Sequence, residues 1–246
     1  MSKDLSNGYN YLQIAEVYRE AGLHYKALLW AENGLRAFTN NPDNRLRTFL
    51  ADEYHRRRRH ADAMKLMWEA FCERPFLETY QTLQRNAQMA GAWPEWRERA
   101  LAELRQRIAK SKEHARGPSW QRAGVDHSVL VEIFIYEENP DQAWREAQEG
   151  GCSDRLWLRL AAAREKAHPA DAAPIYLKYG EAGVHSIRDG RYEDSVSLLV
   201  KAAALMQRLG NGAEFVRRLE ALRGTYKAKR NFIKLVEQNR KSLYLS

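Results

Sequence analysis

The stretch Tyr11–Leu35, YLQIAEVYREAGLHYKALLWAENGL, recurs 36 residues later as Arg47–Phe71, RTFLADEYHRRRRHADAMKLMWEAF. The positions that agree are apolar or small, and they pair Ile14 with Leu50, Ala15 with Ala51, Tyr18 with Tyr54, Ala27 with Ala63, and Leu35 with Phe71. Ile14, Ala15 and Tyr18 follow the spacing of one helix face. Each copy therefore predicts two amphipathic helices joined by a short turn.

A third, weaker unit follows at residues 78–104, where Gly91 marks the turn and Pro94 the start of the second helix. Asn40-Asn41-Pro42 and Arg74-Pro75 separate the units, because proline interrupts helices. Helical patterns continue to the C-terminus and end in one long helix from about Gly212, for about eleven helices and no strand. A repeat of this length predicts an all-α fold, a superhelix or α-solenoid of stacked helical hairpins.

The best candidate for a linker is RGPSWQRAG, residues 116–124. It divides the chain into a predicted region of helical repeats, residues 1–116, and a continuing helical-hairpin region, residues 117–246. Residues 191–246 hold twelve basic and five acidic side chains, whereas residues 117–190 hold eight basic and twelve acidic ones. The second region is therefore expected to end in a basic C-terminal helix.

The composition excludes several classes of protein. The chain has 246 residues, is 44% hydrophobic and carries a formal net charge of +8, so it can form a core and is not a disordered chain. No apolar run reaches the roughly 18 residues that a membrane span needs. The N-terminus lacks the apolar segment of a signal peptide. We therefore expect a cytoplasmic protein that does not bind membranes.

Two family resemblances can be named on these residues. The repeats resemble tetratricopeptide repeats (TPRs), with an aromatic residue in the first helix (Tyr18, Tyr54) and alanine in the second (Ala27, Ala63). A wider match, to the helical half of bacterial SWIM zinc finger proteins, is carried by RLRTFLADEY, PEWRERAL, DHSVLVEIFIYE, AWREAQEGGCSDRLWLRLAAAREK and KRNFIKLVE. The chain contains no Cys-x-Cys and no Cys-x-His, so none of its residues is assigned as a zinc ligand on the basis of this resemblance.

The sequence offers no set of residues typical of catalysis, and no enzyme activity is predicted. Cys72 and Cys152 are the two cysteines, and free cysteines are usually buried. The seven histidines form no HExxH motif, and no glycine-rich phosphate loop occurs. We therefore predict no catalytic residue, no metal site, no cofactor and no small-molecule substrate.

The arginine run Arg56–Arg59 has two interpretations. Alignment with the first repeat places it at the end of one helix, in the turn and at the start of the next helix. Arg58 takes the place of Gly22, so we expect a positive φ there. Cations are favourable at a helix C-terminus, and a turn of exposed arginines would change stability little when substituted. The alternative is a weak phosphate-binding site.

A second group of cations lies near the C-terminus, where the helix either packs on its neighbour or docks on an acidic partner. Together with the arginine run it forms a candidate basic patch of Arg57, Arg58, Arg59, Lys227, Lys229, Arg230 and Lys234.

The first helices of stacked hairpins line a concave groove, which is the predicted binding site for a protein or peptide. Polar residues opposite the predicted core are the candidates: Glu16, Arg19, Arg45, Asp52, His55, Arg56, Arg85 and Gln88. The leading hypothesis is a non-catalytic scaffold for protein–protein interaction. The alternative is an accessory domain that binds nucleic acid through the basic patch.

Overall fold

The structure is a computed structural model that describes residue 5 and residues 7–39, 42–114, 127–186 and 191–244. These residues form fourteen helices and no strand, so the all-α prediction is confirmed. Within the described ranges, none of the helices combines the length and apolar character that crossing a membrane would require. The chain divides into two compact units, Met1–Val125 and Asp126–Ser246. The predicted linker lies outside the described residues, so the boundary at 116/117 stays a prediction.

The first unit is a TPR-like stack of helical hairpins in which each helix packs on the next along the chain. Its helices are α1 (Gly8–Glu20), α2 (His24–Ala37), α3 (Asn44–Arg56), α4 (His60–Glu73), α5 (Leu77–Met89) and α6 (Trp93–His114). Helices α3 and α4 begin and end 36 residues after α1 and α2, as the repeat predicts. α1 also packs on α3, so the hairpins stack on one another.

Small residues set the distance between these helices. Ala27 and Ala63, which are equivalent in the two repeats, are completely buried. A Cβ added at Gly34 of α2 would lie 2.6 Å from Tyr11 Cβ and 2.9 Å from Leu46 Cδ2. Helices α1, α2 and α3 therefore contact one another at Gly34, which has no side chain. This contact fixes how the first hairpin is aligned along the second.

The hairpins are closed by one type of turn. Gly22 and Arg58, one residue past the C-caps of α1 and α3, have φ angles of 73° and 60°. Each turn also contains a backbone hydrogen bond that spans six residues. In the first turn Leu23 N donates to Tyr18 O (2.8 Å), and in the second Arg59 N donates to Tyr54 O (2.9 Å). This is the Schellman motif, in which a left-handed residue satisfies the last carbonyls of a helix. The positive φ that the sequence predicts for Arg58 is confirmed.

The second unit contains α7 (Ser128–Tyr136), α8 (Pro140–Gly150), α9 (Asp154–Arg164), α10 (Pro169–Ser186), α11 (Glu193–Arg208), α12 (Gly212–Thr225), α13 (Arg230–Gln238) and α14 (Arg240–Tyr244). Asn139 caps α8 by accepting a bond from Gln142 N at 3.1 Å. Helix α11 packs on α10, α12, α13 and α14. Its close approach to α10 is allowed by Gly180, where an added Cβ would lie 2.9 Å from Leu199.

The single long C-terminal helix expected from Gly212 is wrong. The chain turns after Thr225 and again at Asn239, so that α12, α13 and α14 follow one another. The turns direct Phe232 and Val236 of α13 into the core, where both are completely buried. A straight continuation of α12 would carry these side chains away from α11, so burial of apolar surface favours the break.

The equivalent turn positions give a matched test of backbone strain. Gly22→Ala places a Cβ on a left-handed residue and should lower the free energy of unfolding by about 1 kcal/mol. Arg58→Gly removes a Cβ from the same conformation and should be neutral or raise it by up to about 1 kcal/mol. Urea unfolding measures both variants. A loss of stability on Arg58→Gly as large as that on Gly22→Ala would show that the φ of Arg58 is not strained.

Candidate functional site

The first helices of the first two repeats form a groove with a volume of about 480 Å³. Its walls are side chains of α1 and α3, and its lining consists of Tyr9, Leu12, Glu16, Arg19, Arg45, Thr48, Phe49 and Asp52. Leu12 and Phe49 are buried and form an apolar floor. The groove thus combines an apolar base with two cations and two carboxylates.

Aromatic rings and a carboxylate hold the two arginines of this α1–α3 groove. Arg19 Cζ lies 4.3 Å from the Phe49 ring centroid, and Arg45 Cζ lies 4.7 Å from that of Tyr9. Arg45 Nη2 also lies 2.7 Å from Asp43 Oδ2, and this hydrogen bond holds the pKa of the Asp43 carboxyl below its usual value. A guanidinium stacked on a ring loses less freedom on binding a carboxylate.

The structure brings together part of the predicted groove set. Glu16, Arg19, Arg45 and Asp52 line the α1–α3 groove. Three other members lie elsewhere on exposed positions: Arg56 at the end of α3, and Arg85 and Gln88 on α5. Their role in binding stays a prediction.

His55 was expected on the exposed face of the groove, and this is wrong because its side chain is only 5% exposed. His55 Nε2 lies 3.1 Å from Asn86 Oδ1 on α5, and His55 Nδ1 lies 2.7 Å from His60 Nδ1. The repeat places His55 at the position of Arg19. In the second repeat, however, side chains of two other helices, Asn86 of α5 and His60 of α4, contact this position.

The histidine contacts define which atoms carry protons. Asn86 Nδ2 donates to Thr82 O at 2.8 Å, so Asn86 Oδ1 accepts and His55 Nε2 donates. His55 Nδ1 then accepts a hydrogen bond from His60 when His55 is neutral. Burial, followed by the nearby His60, lowers the pKa of His55. A second proton on His55 makes its Nδ1 a donor, so His60 Nδ1 would then have to accept.

The arginine run forms the end of α3 and the turn, as the sequence predicts, but it is largely neutralised within the fold. Arg57 Nη1 lies 2.6 Å from Oε2 of Glu53, which is completely buried, and Arg57 Nη2 donates to His24 O at 2.6 Å. Arg59 pairs with Asp62 at 2.7 Å. The premise that the whole run is exposed is wrong for Arg57, whose side chain is only 24% exposed; the small effect of substitutions elsewhere in the run stays a prediction.

Arg59 also covers a buried tyrosine that joins the first two repeats. Its Cζ lies 4.3 Å from the Tyr54 ring centroid, and Tyr54 donates to Glu32 Oε1 at 3.0 Å. Burial and this bond to Glu32 raise the pKa of Tyr54 to about 12. The phenol is therefore a fixed donor and a structural contact.

The C-terminal cations divide into one structural lysine and several exposed side chains. Lys229 Nζ donates to Val184 O at 2.6 Å, at the C-terminal end of α10, where a cation is favoured by the helix dipole. Lys227, Arg230 and Lys234 are exposed. The segment therefore contains both a cation that packs on a neighbouring helix and cations that face solvent, and binding by the latter stays a prediction.

One group of side chains could hold a metal ion, and the sequence pattern did not indicate it. His127, Glu146 and Glu149 each offer a ligand atom within 4.8 Å of the others. His127 Nδ1 lies 2.9 Å from Glu146 Oε2, and both side chains are buried. A Cβ added at Gly150 would lie 1.8 Å from His127. This close packing ties α7 to α8, and an ion would have to replace the His127–Glu146 hydrogen bond.

Cys72 and Cys152 are half-buried, which corrects the expectation that both are buried. Burial raises the pKa of the Cys72 thiol above its ordinary value. A raised pKa lowers the fraction of thiolate, the reactive form, so Cys72 is poorly suited to act as a nucleophile.

No protein-family model matches the chain. No curated protein matches it either. Among solved structures, the chain is similar to a thermophilic TPR protein of Thermus thermophilus, at 18% identity and a TM-score of 0.30, with 81% of this chain and 99% of that chain covered. This TM-score is too low to establish a shared arrangement of helices, so the TPR-like fold rests on the repeat and contacts described above.

Arg57 and Arg58 provide a matched pair for testing the arginine run. Arg57→Gln should lower the free energy of unfolding by about 2 kcal/mol or more, because it leaves the buried Glu53 carboxylate without its closest cation. Arg58→Gln should change it by less than about 0.5 kcal/mol, because that side chain is exposed. Urea unfolding at pH 7 measures both. Equal losses would show that Glu53 does not depend on Arg57.

The His55 pKa gives stability a pH dependence of known sign. The unfolded chain takes up a proton on His55 as the pH falls below about 6.5, whereas the folded chain does so only at lower pH. The contribution of His55 is therefore full above this pH and is lost as the pH falls through the folded pKa. Thermal melts from pH 7.5 to 5 should show a smaller loss for His55→Gln than for the parent chain.

Several groups near His55 also titrate or carry charge, namely His60, Asp52 and Arg56. Subtracting the pH dependence of stability of the His55→Gln variant from that of the parent chain removes the contribution that these three groups make to both proteins. A single proton can change stability by no more than about 1.4 kcal/mol per pH unit. Identical slopes for the two proteins would show that His55 titrates alike in the folded and unfolded chains.

Proposed function

We propose that this chain is a non-catalytic α-solenoid scaffold for protein–protein interaction, and that the α1–α3 groove binds a protein or peptide partner. The observation that carries the proposal is the arrangement of two ring-stacked arginines and two carboxylates around an apolar floor. These side chains stand on two packed helices, which hold them in position before a partner binds. Preorganised polar groups around an apolar base suit recognition of a protein surface.

The signs of the charges favour a protein partner over a polyanion. Glu16 and Asp52 line the same groove as Arg19 and Arg45. A nucleic acid backbone would be attracted by the arginines and repelled by the carboxylates at short range. A peptide can carry both signs of charge and can therefore match all four side chains.

We also propose that the chain is the helical module of a SWIM zinc finger type protein and that it acts in the bacterial cytoplasm. The support is the resemblance of the five sequence segments named above. The gene context tests it directly. A Cys-x-Cys…Cys-x-His segment encoded in the same reading frame upstream of Met1 would support the assignment, and an unrelated domain there would contradict it.

A photo-crosslinker at the α1–α3 groove tests the scaffold proposal. Benzoylphenylalanine in place of Thr48, which lines the groove, should give crosslinked partners in cells. The same residue in place of Lys65, exposed on α4, serves as the matched control. Arg19→Glu with Asp52→Lys should reduce the Thr48 crosslinks at least tenfold, which corresponds to about 1.4 kcal/mol of binding free energy.

The outcome that contradicts this proposal is a set of crosslinks that is equal at both positions and insensitive to the charge changes.

The alternative function is binding of nucleic acid. The observation that favours it is the exposure of Lys227, Arg230 and Lys234. If each of these three cations neutralises one phosphate, log K should fall against log salt with a slope of about −2.7. A gel shift at about 50 mM salt with these three cations replaced by glutamine tests it.

A further inference from the structure

The second unit contains a larger groove, with a volume of about 990 Å³, between α10 and α12. Its floor is apolar and is formed by Ala173 and Leu177 of α10 together with Met206 and Leu209 at the end of α11. Charged side chains from α10 and α12 stand along its rim, including Lys178, Glu181, Glu214 and Arg218. The sequence pattern did not indicate this α10–α12 groove, because its lining comes from three separate helices.

The length of the groove follows from its walls. Side chains from Ala170 to His185 line one wall, and side chains from Asn211 to Tyr226 line the other. Each stretch is about 22 Å long at 1.5 Å per residue. Two contacts join the walls: Glu181 Oε2 lies 2.7 Å from Arg218 Nη2, and His185 Nδ1 lies 2.5 Å from the Tyr226 hydroxyl. Because the later residue of one wall contacts the later residue of the other, the two walls run in the same direction.

These dimensions fit a helix. A helix of about 15 residues is about 22 Å long, which matches the length of both walls of the α10–α12 groove. An extended peptide fits less well, because its backbone N–H and C=O groups need partners. The walls of the groove are helices, whose backbone groups bond within each helix and are not available to an extended peptide. A bound helix bonds its own backbone groups internally and needs no such partners.

The rim provides charge complementarity. The Glu181–Arg218 pair and the His185–Tyr226 hydrogen bond both span the two walls, and an incoming helix has to open both of these partly exposed contacts. Exposed ion pairs contribute little to stability, so the pair can open at small cost. A bound helix with a carboxylate near Arg218 and a cation near Glu181 would replace both halves of the pair and keep each charge matched.

We propose that the α10–α12 groove binds the apolar face of an amphipathic partner helix about four turns long, with one acidic and one basic side chain of that helix replacing the Glu181–Arg218 ion pair. The proposal shares with the proposed function the view of the chain as a scaffold. It assigns a separate site and a separate class of ligand, so either can fail alone.

The test is selection of peptides on the full chain from a displayed library of random 15-residue helix-favouring sequences. Enriched peptides should carry apolar residues at i, i+4 and i+7, flanked by one acidic and one basic residue. Ala182→Trp fills the groove from an exposed position and should weaken binding of a synthetic enriched peptide at least tenfold. Ala204→Trp, exposed on α11 outside the groove lining, should leave binding unchanged.

A charge swap, Glu181→Arg with Arg218→Glu, keeps an ion pair while reversing the rim. It should reverse the preference between an enriched peptide and its charge-swapped version, and it does not depend on how well the Ala182→Trp variant folds. Failure to enrich peptides, or binding that the swap leaves unchanged, would overturn the proposal.

Two further outcomes separate this site from other interpretations. Peptides whose binding is lost on Arg19→Glu but retained on Ala182→Trp would belong to the α1–α3 groove and would overturn this proposal while leaving the proposed function intact. A dimer of the parent chain that Ala182→Trp dissociates, measured by light scattering, would assign the groove to a second copy and would likewise overturn it.

Discussion

A left-handed residue that ends one helix and starts the next is the backbone constraint on which the hairpins depend. Among the described residues it recurs at Gly22, Arg58, Gly91, Glu138 and Gly210. At each of these positions the backbone N–H of the following residue donates to the carbonyl of the residue that stands four positions before the left-handed one, with N···O distances of 2.8–2.9 Å. The bond satisfies a helix end and reverses the chain. The turns thereby place successive helices side by side, which is the condition for burying their apolar faces.

Glycine satisfies this constraint at three of the five positions, and the α3–α4 turn satisfies it with arginine. The strain there is compensated by neighbouring contacts. Arg57 reaches the buried Glu53 and the His24 carbonyl, and Arg59 covers Tyr54. The most basic stretch of the chain is thus also the contact between the first two repeats, and its positive charge is mostly matched by carboxylates of the fold.

The two grooves follow from the same hairpin geometry but differ in the ligands they suit. The α1–α3 groove is small, and charges of both signs surround its buried floor. The α10–α12 groove is about twice as large and has a longer apolar floor. Under the two proposals, one unit recognises a charged peptide and the other an amphipathic helix.

Much of the fold could be predicted because the repeat carries it locally. Periodicity defines the helices of the first unit, glycine marks the turns, and alignment with Gly22 predicts the left-handed Arg58. The same phase indicates the groove residues Glu16, Arg19, Arg45 and Asp52. The C-terminal region was predicted less well, since only packing on α11 explains why α12 and α13 are separate helices.

What the sequence could not determine is the burial of equivalent positions in the two repeats. Arg19 lines an open groove, whereas its equivalent His55 is covered by Asn86 of α5. Val17 is 57% exposed, whereas its equivalent Glu53 is completely buried. The sequence by itself determined the helices, the turns and the phase of each face. The tertiary structure decided which faces are covered, because the burial of a helical position depends on which neighbouring helix packs over it.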